Sequence, residues 1–191
     1  PFVAVVTAIE NTDAVTKEFL TFANGTQRDS VEIVVNQRAA SLTIQGTRPD
    51  TIASLGATKD LNAVGLDARG IGVPTNRMQW TTDDPNVAQV NADQTLATAI
   101  GVGTTKLHVT RDNVRDSVTL VVTNDPTRLR ATPDTVRIEN LNDVATFDDV
   151  IVTNARDDRL TTVSITYQSL DPSIVSVEAS GQMTSLVPGP P

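Results

Sequence analysis

Apolar residues in this chain recur at every second position, in short runs. Val118, Leu120 and Val122 keep that period strictly, Leu107 and Val109 repeat it, and Met78 and Trp80 do so ahead of them. Side chains of a β-strand alternate between its two faces, so a period of two marks strands with one buried side. No stretch carries sustained helical spacing, and Gly, Pro, Asn and Asp punctuate the chain roughly every eight to twelve residues. Thr (28 residues) and Val (25) are the commonest β-formers, and branching at Cβ suits a pleated, half-buried surface. These features predict an all-β sandwich.

One block occurs twice. Trp80 to Val102 reads W-T-T-D-D-P-N-V-A-Q-V-N-A-D-Q-T-L-A-T-A-I-G-V, and Tyr167 to Gly189 reads Y-Q-S-L-D-P-S-I-V-S-V-E-A-S-G-Q-M-T-S-L-V-P-G. The second begins 87 residues after the first and follows it without a gap for 23 positions. Asp84-Pro85 returns as Asp171-Pro172, Val87 as Ile174, Val90 as Val177, Ala92 as Ala179 and Leu96 as Met183. Self-similarity at a domain-sized period means tandem copies of one module.

The block, an aromatic, a short polar run, D-P-x-V-x-x-V, a hairpin turn and an x-A-x-x-x-G segment, resembles the bacterial immunoglobulin-like domains of intimin- and invasin-type surface proteins. The resemblance covers the complete middle repeat and, less fully, the partial ones beside it. It implies tandem immunoglobulin-like β-sandwiches and a bacterial cell surface, an appendage, or a virion. It implies little about chemistry, because that fold carries many unrelated functions.

Taken in order, residues 1–36 read as the last three strands (E, F and G) of a first module. Val5 to Ile9 mirrors Leu96 to Ile100, and Arg28-Asp29-Ser30-Val31 mirrors Arg115-Asp116-Ser117-Val118. Asn24-Gly25 between the last two strands signals a tight turn, since both residues tolerate positive φ. Residues 41–123 read as a complete module, with strand B over 57–67 (its alternation disturbed by a bulge or twist), Met78 and Trp80 inward on strand C, and F and G ending it. Residues 126–191 read as a third copy lacking its last strands. There Pro133-Asp134-Thr135-Val136 echoes Pro49-Asp50-Thr51-Ile52, and Val163, Ile165 and Tyr167 replay strand C. The period of 87 residues thus gives one complete and two partial sandwiches. The joints at 37–41 and 124–127 are short, and the second holds Pro126, which favours a rod over flexible beads.

Charge narrows the partners. A net charge of −8 from 18 Asp, 5 Glu, 12 Arg and 3 Lys repels phosphate backbones and anionic lipid, so no nucleic acid and no direct membrane insertion are expected. The same charge keeps a surface soluble. With no Cys there is no disulfide framework and no thiolate site. No run of 18 apolar residues is present, and the segment opens without a basic and apolar leader.

Candidate chemistry is sparse. Trp80 and Tyr167 hold the same place in two copies and read as core anchors. With six aromatics in all, few remain for a stacking platform. His108 lies between Leu107 and Val109 and reads as outward-facing; one His without Cys makes neither a zinc site nor a triad. The pairs Asp83-Asp84, Asp148-Asp149 and Asp157-Asp158 invite calcium, but no D-x-D-x-D-G loop is present. Calcium at a joint, through Asp125 or its neighbours, is the one ion alternative. Asn24-Gly25-Thr26 is the only N-x-T sequon. Lys106 is the one lysine central in a strand pattern, and a Lys–Asn cross-link is set aside because the third copy lacks its equivalent. No catalytic, cofactor-binding or metal-binding residue is assigned, and the chain reads as no enzyme.

The two ends are mismatched, E to G at the start and A to E at the finish. Either the segment belongs to a longer array, or the head of one subunit completes the tail of the next by strand complementation, building a filament. The sequence therefore predicts a non-catalytic extracellular structural protein, a stalk or filament of tandem modules. Its expected partners are further copies or further immunoglobulin-like modules. The alternative is an adhesin recognising a host surface protein or glycan through loops such as Arg69 to Thr75.

Overall fold

Short alternating runs separated by turn residues become 17 strands and one 3-10 turn (Thr75–Arg77) in a computed structural model, which describes residues 5, 7 and 16–187, omitting the side chains of 16 and 17. The all-β expectation holds. The chain divides into two compact units, Pro1–Thr123 and Asn124–Pro191.

The first unit begins with a hairpin, β1 (Thr16–Asn24) and β2 (Gln27–Val35), paired in unbroken antiparallel register from Thr16↔Val35 to Asn24↔Gln27. Its two-residue loop is Gly25-Thr26, one residue later than Asn24-Gly25, and Asn24 is the last paired residue. Gly25 takes φ +62. Only the first loop position needs the left-handed conformation here, and glycine adopts it without a Cβ clash. The expected strand over 5–9 falls largely outside the described residues.

The complete module comes next as β3 (Ser41–Ile44), β4 (Asp50–Ile52), β5 (Thr58–Asp60), β6 (Ala63–Leu66), β7 (Gly72–Val73), β8 (Gln79–Thr82), β9 (Ala88–Val90), β10 (Leu96–Ala99), β11 (Gly103–Arg111) and β12 (Val114–Val122). One sheet has the order β4-β12-β11-β8. Facing it are β3-β6-β7 and β5-β10-β9. The region expected as one strand B is two. Its first half pairs with β10 and its second with β3, and the change falls at Leu61-Asn62, where Leu61 N–H donates to the Thr95 carbonyl and Asn62 O accepts from Gln45 N–H. The disturbed alternation is thus a change of sheet, one way a sandwich turns its corners.

One core joins the sheets. Val109, Leu120 and Val122 are at most 1% exposed, with Trp80 and Met78 buried beside them. Gly65 keeps that core closed, since a Cβ there would stand 2.5 Å from Val73 Cγ2 and 3.0 Å from Leu42 Cδ2. Two carboxylates, Asp116 half-buried and Asp50 buried, fasten the layers. Asp116 on β12 accepts the Ile44 N–H of β3 at 2.7 Å, the Ser117 N–H at 2.7 Å and the Arg48 guanidinium. Asp50 takes Lys59 Nζ at 2.6 Å, Thr47 Oγ1 at 3.0 Å and the Thr51 N–H at 2.9 Å. Burial pushes both carboxyls up, but these donors outweigh it and hold each below its ordinary value.

The second unit contains β13 (Arg128–Thr132), β14 (Val144–Ala145), β15 (Asp149–Thr153), β16 (Val175–Val177) and β17 (Met183–Ser185). It repeats the first plan. The β13–β15 pair Leu129↔Val152 lies 87 residues after the β3–β6 pair Leu42↔Gly65, and β16 and β17 lie 87 after β9 and β10. The single bridge Thr153↔Arg159 stands where β7 pairs with β6. One turn is duplicated atom for atom. Asp67 Oδ1 accepts the Arg69 and Ile71 N–H groups, and Asn154 Oδ1 accepts those of Arg156 and Asp158.

Two outcomes test this packing. Trp80→Ala empties the centre of the complete module and is expected to cost about 3–5 kcal/mol, read by circular dichroism in urea. The carboxylates set the acid response. Asp50 and Asp116 have folded pKa values below the ordinary 3.8, so the unfolded chain binds more protons in that window and stability rises with pH there. Their contribution is complete above the unfolded value and disappears as pH falls through the folded one. Denaturant midpoints should fall on acidification below about pH 4, and Asp50→Asn should flatten that fall.

Candidate functional site

A strand needs a partner for its backbone N–H and C=O groups, and in the complete module one hairpin serves two strands. β11 pairs antiparallel with β8, setting Leu107 opposite Thr82 and Val109 opposite Trp80. β12 pairs in parallel with β4, setting Leu120 opposite Asp50 and Val122 opposite Ile52. The β11–β12 hairpin therefore closes the sandwich.

The β1–β2 hairpin is the same object 87 residues earlier. Both hairpins have nine-residue strands and a two-residue loop, Gly25-Thr26 in one and Asp112-Asn113 in the other. Asp29 Oδ1 accepts the Ser30 N–H as Asp116 Oδ1 accepts that of Ser117. Yet β1 and β2 form a sheet of two strands. Phe22 is 47% exposed where its counterpart Val109 is 0%, and Val31 is 50% exposed where Val118 is 4%. Leu20, Ile33 and Val35 on the same face are half-buried.

The second unit shows the complementary condition. Residues 166–169, the counterpart of β8, belong to no ladder among the described residues, and neither do 134–136, the counterpart of β4. Strand C of this copy is thus not a strand. Its alternation is present, but the hairpin it would pair with is not among the described residues of this unit. Tyr167 is half-buried and stacks on Phe147 with ring centroids 6.3 Å apart. It also covers Gly181, where a Cβ would meet Tyr167 Cζ at 2.9 Å. Leu129 is 59% exposed, against 8% for its counterpart Leu42. A cleft of about 420 Å³ lies among Val136, Ile138, Ile174, Val175, Met183 and Val187, with Glu139, Asn140 and Ser185 also lining it; Ile52, Val87 and Ala88, the counterparts of Val136, Ile174 and Val175, are buried.

The chemistry-bearing residues are mostly structural ties. Trp80 sits inward, as expected. His108 does not face solvent. It leaves the core side of β11 but is buried under Asp83, whose Oδ1 lies 2.8 Å from Nε2, and Arg115, whose Nη2 lies 2.6 Å from Nδ1. Hydrogen on Nε2 satisfies both contacts. Asp84 and Asp171 each cap the same turn, accepting the N–H of Asn86 and of Ser173. Asp149 holds Arg159 through two bonds, and Asp157 and Asp158 pair with Arg128 and Arg156. Among the described residues no three of His, Asp and Glu gather as a metal group, and neither Asp125 nor Asp148 contributes to one. Lys106 is exposed on β11. The loop from Arg69 presents Ile71, 52% exposed. The turn built on Asp67 and Asn154 was overlooked in the sequence, although Asp67-Ala68-Arg69 and Asn154-Ala155-Arg156 stand 87 residues apart.

No family model matches the chain, and no curated protein sequence matches it. Solved structures similar to it include those of surface-layer and extracellular-domain proteins. Domains 4–9 of the surface layer protein SbsC share 12% identity over 90% of this chain, with a TM-score of 0.42. A longer SbsC structure shares 16% over 92%, with a TM-score of 0.40. Extracellular domains 3–5 of Drosophila OTK share 12% over 85%, with a TM-score of 0.40. The chain spans 31% and 32% of the two SbsC structures and 60% of the OTK structure.

Hydrogen exchange in dilute solution reads the difference between the copies directly. Amides of 79–82 and 50–52 are expected to be protected, while those of 166–169 and 134–136 exchange rapidly. Equal protection of both sets would show that the second unit has another closing element.

Proposed function

We propose that this chain is a non-catalytic structural protein of the cell exterior, a stalk or filament of tandem immunoglobulin-like modules that spaces or polymerises. The observation that carries this is where the two copies agree. Positions repeated at the 87-residue offset are core and turn positions, such as Trp80 and Tyr167, Asp84 and Asp171, Asp67 and Asn154. Each packs a core or satisfies a backbone donor. Repetition of a scaffold fits an array whose product is length, since each module supplies the same span. The acidic surface and the cysteine-free core suit such a role outside the cell, on a bacterial surface, an appendage or a virion.

A second reading, an adhesin that grips a surface protein or glycan, is favoured by one feature. The loop after β6 is held in shape by Asp67 and carries the exposed Ile71.

Antibody against residues 41–123 is expected to label intact cells or particles of the source, and external protease to remove the epitope without lysis. Labelling only after permeabilisation would overturn an exterior location. Saturable binding to host protein or glycan, abolished by Ile71→Asp with the fold intact, would replace the spacer by the adhesin.

A further inference from the structure

The two open edges are halves of one interface that the chain already contains in closed form. We propose that the β1–β2 hairpin of one copy docks on the second unit of another copy, taking the place that β11–β12 takes in the complete module. This deepens the structural reading above by naming its partner, a second copy of this chain.

The complete module supplies the register. Carrying its pairs across by the 87-residue offset for β8, and by the 84-residue offset from Pro49 to Pro133 for β4, sets Leu20 opposite Ser169, Thr21 opposite Gln168, Phe22 opposite Tyr167 and Ala23 opposite Thr166. On the other side Ile33 meets Asp134, Val34 meets Thr135 and Val35 meets Val136 in parallel. Both unladdered segments of the second unit then gain partners together. The exposed apolar face of the hairpin comes over Tyr167 and over Val136, which lines the 420 Å³ cleft.

Side-chain size favours this occupant over an arbitrary strand. In the complete module a small residue, Val109, faces a large ring, Trp80. In the proposed pair both change in compensating directions: Phe22 replaces Val109, and Tyr167 replaces Trp80. Cores tolerate substitution when summed volume is kept, and the ring of Phe22 adds an aromatic contact beside Tyr167 and Phe147. The loop length and strand lengths of β1–β2 also equal those of the hairpin it would stand in for. Because hairpin and acceptor are different surfaces of each copy, the contact is head-to-tail and propagates into a filament unless a ring closes.

The chain has no cysteine, so the register can be tested by cross-linking variants of residues 1–191. Thr21 and Gln168 are opposed on the outer face, where thiols leave the core untouched. Mixing Thr21→Cys chains with Gln168→Cys chains under mild oxidation is expected to give a disulfide-linked dimer, and mixing Thr21→Cys with Thr162→Cys is not. Mass photometry and sedimentation of the unmodified chain should show multiples that grow with concentration. Phe22→Asp, with an unchanged circular dichroism spectrum, should weaken association by about tenfold or more. A concentration-independent monomer, association indifferent to Phe22→Asp, or a yield of Thr21→Cys/Gln168→Cys dimer no greater than that with Thr162→Cys would each overturn the proposal. None of these outcomes bears on whether the protein lies outside the cell, which the antibody experiment decides separately.

Discussion

The structure depends on the two-way pairing of one hairpin. β11 and β12 carry the largest fully buried apolar side chains of the complete module, Val109, Leu120 and Val122. They also supply the ladder partners of β8 and β4. Burial and backbone satisfaction are therefore provided by the same residues. A hairpin alone is marginal, because one face remains wet. Set into the module, its apolar face packs on β3 of the facing sheet, and its edges are occupied by β8 and β4.

The second unit carries the same plan without that hairpin among its described residues. Its local features persist. The turn at Asn154 and the turn at Asp171 form as their counterparts do, because each needs only residues a few positions away. The fastenings that cross between layers do not carry over. Asp50 is buried against Lys59, whereas its counterpart Asp134 is exposed, and Val144 occupies the place of Lys59 on the strand beside it. A buried carboxylate needs a partner. The copy that lacks the cation leaves its carboxylate in water.

This division also explains how far the sequence could be read. The period of two named the buried faces correctly, and Trp80 and Met78 sit where it placed them. It could not say whether an alternating run finds a partner, which is why Val163, Ile165 and Tyr167 look like a strand and pair with nothing described. Strand formation is decided by neighbours across the sheet rather than by the segment itself. His108 failed for the same reason: its covers, Asp83 and Arg115, lie 25 and 7 residues away. The one-residue error at the first hairpin is different in kind. Asn24-Gly25-Thr26 accommodates a tight turn centred on either pair of residues. The cross-strand register, with Leu20 facing Val31, selects the later one.

Register also governs whether the exposed hairpin could pair indiscriminately. A slip by one residue turns every side chain to the opposite face, and on β1–β2 both faces carry large apolar groups. Phe19 and Val34 lie on the outer face, 59% and 53% exposed. Hydrophobicity alone therefore discriminates weakly. The polar residues discriminate better. Asp29 shares the inner face with Phe22, and its counterpart Asp116 accepts the N–H of Ile44 on β3. In the proposed docking Asp29 would meet the corresponding N–H of Ala131 on β13, and Glu18, which shares this face, would take the place of Thr105. Slipped by one, the hairpin would turn Arg28 and Ser30 inward, where an unpaired buried guanidinium costs far more than the exchange of Phe22 for Phe19 returns. A charged residue within an apolar face thus sets the alignment, which the apolar residues stabilise without specifying.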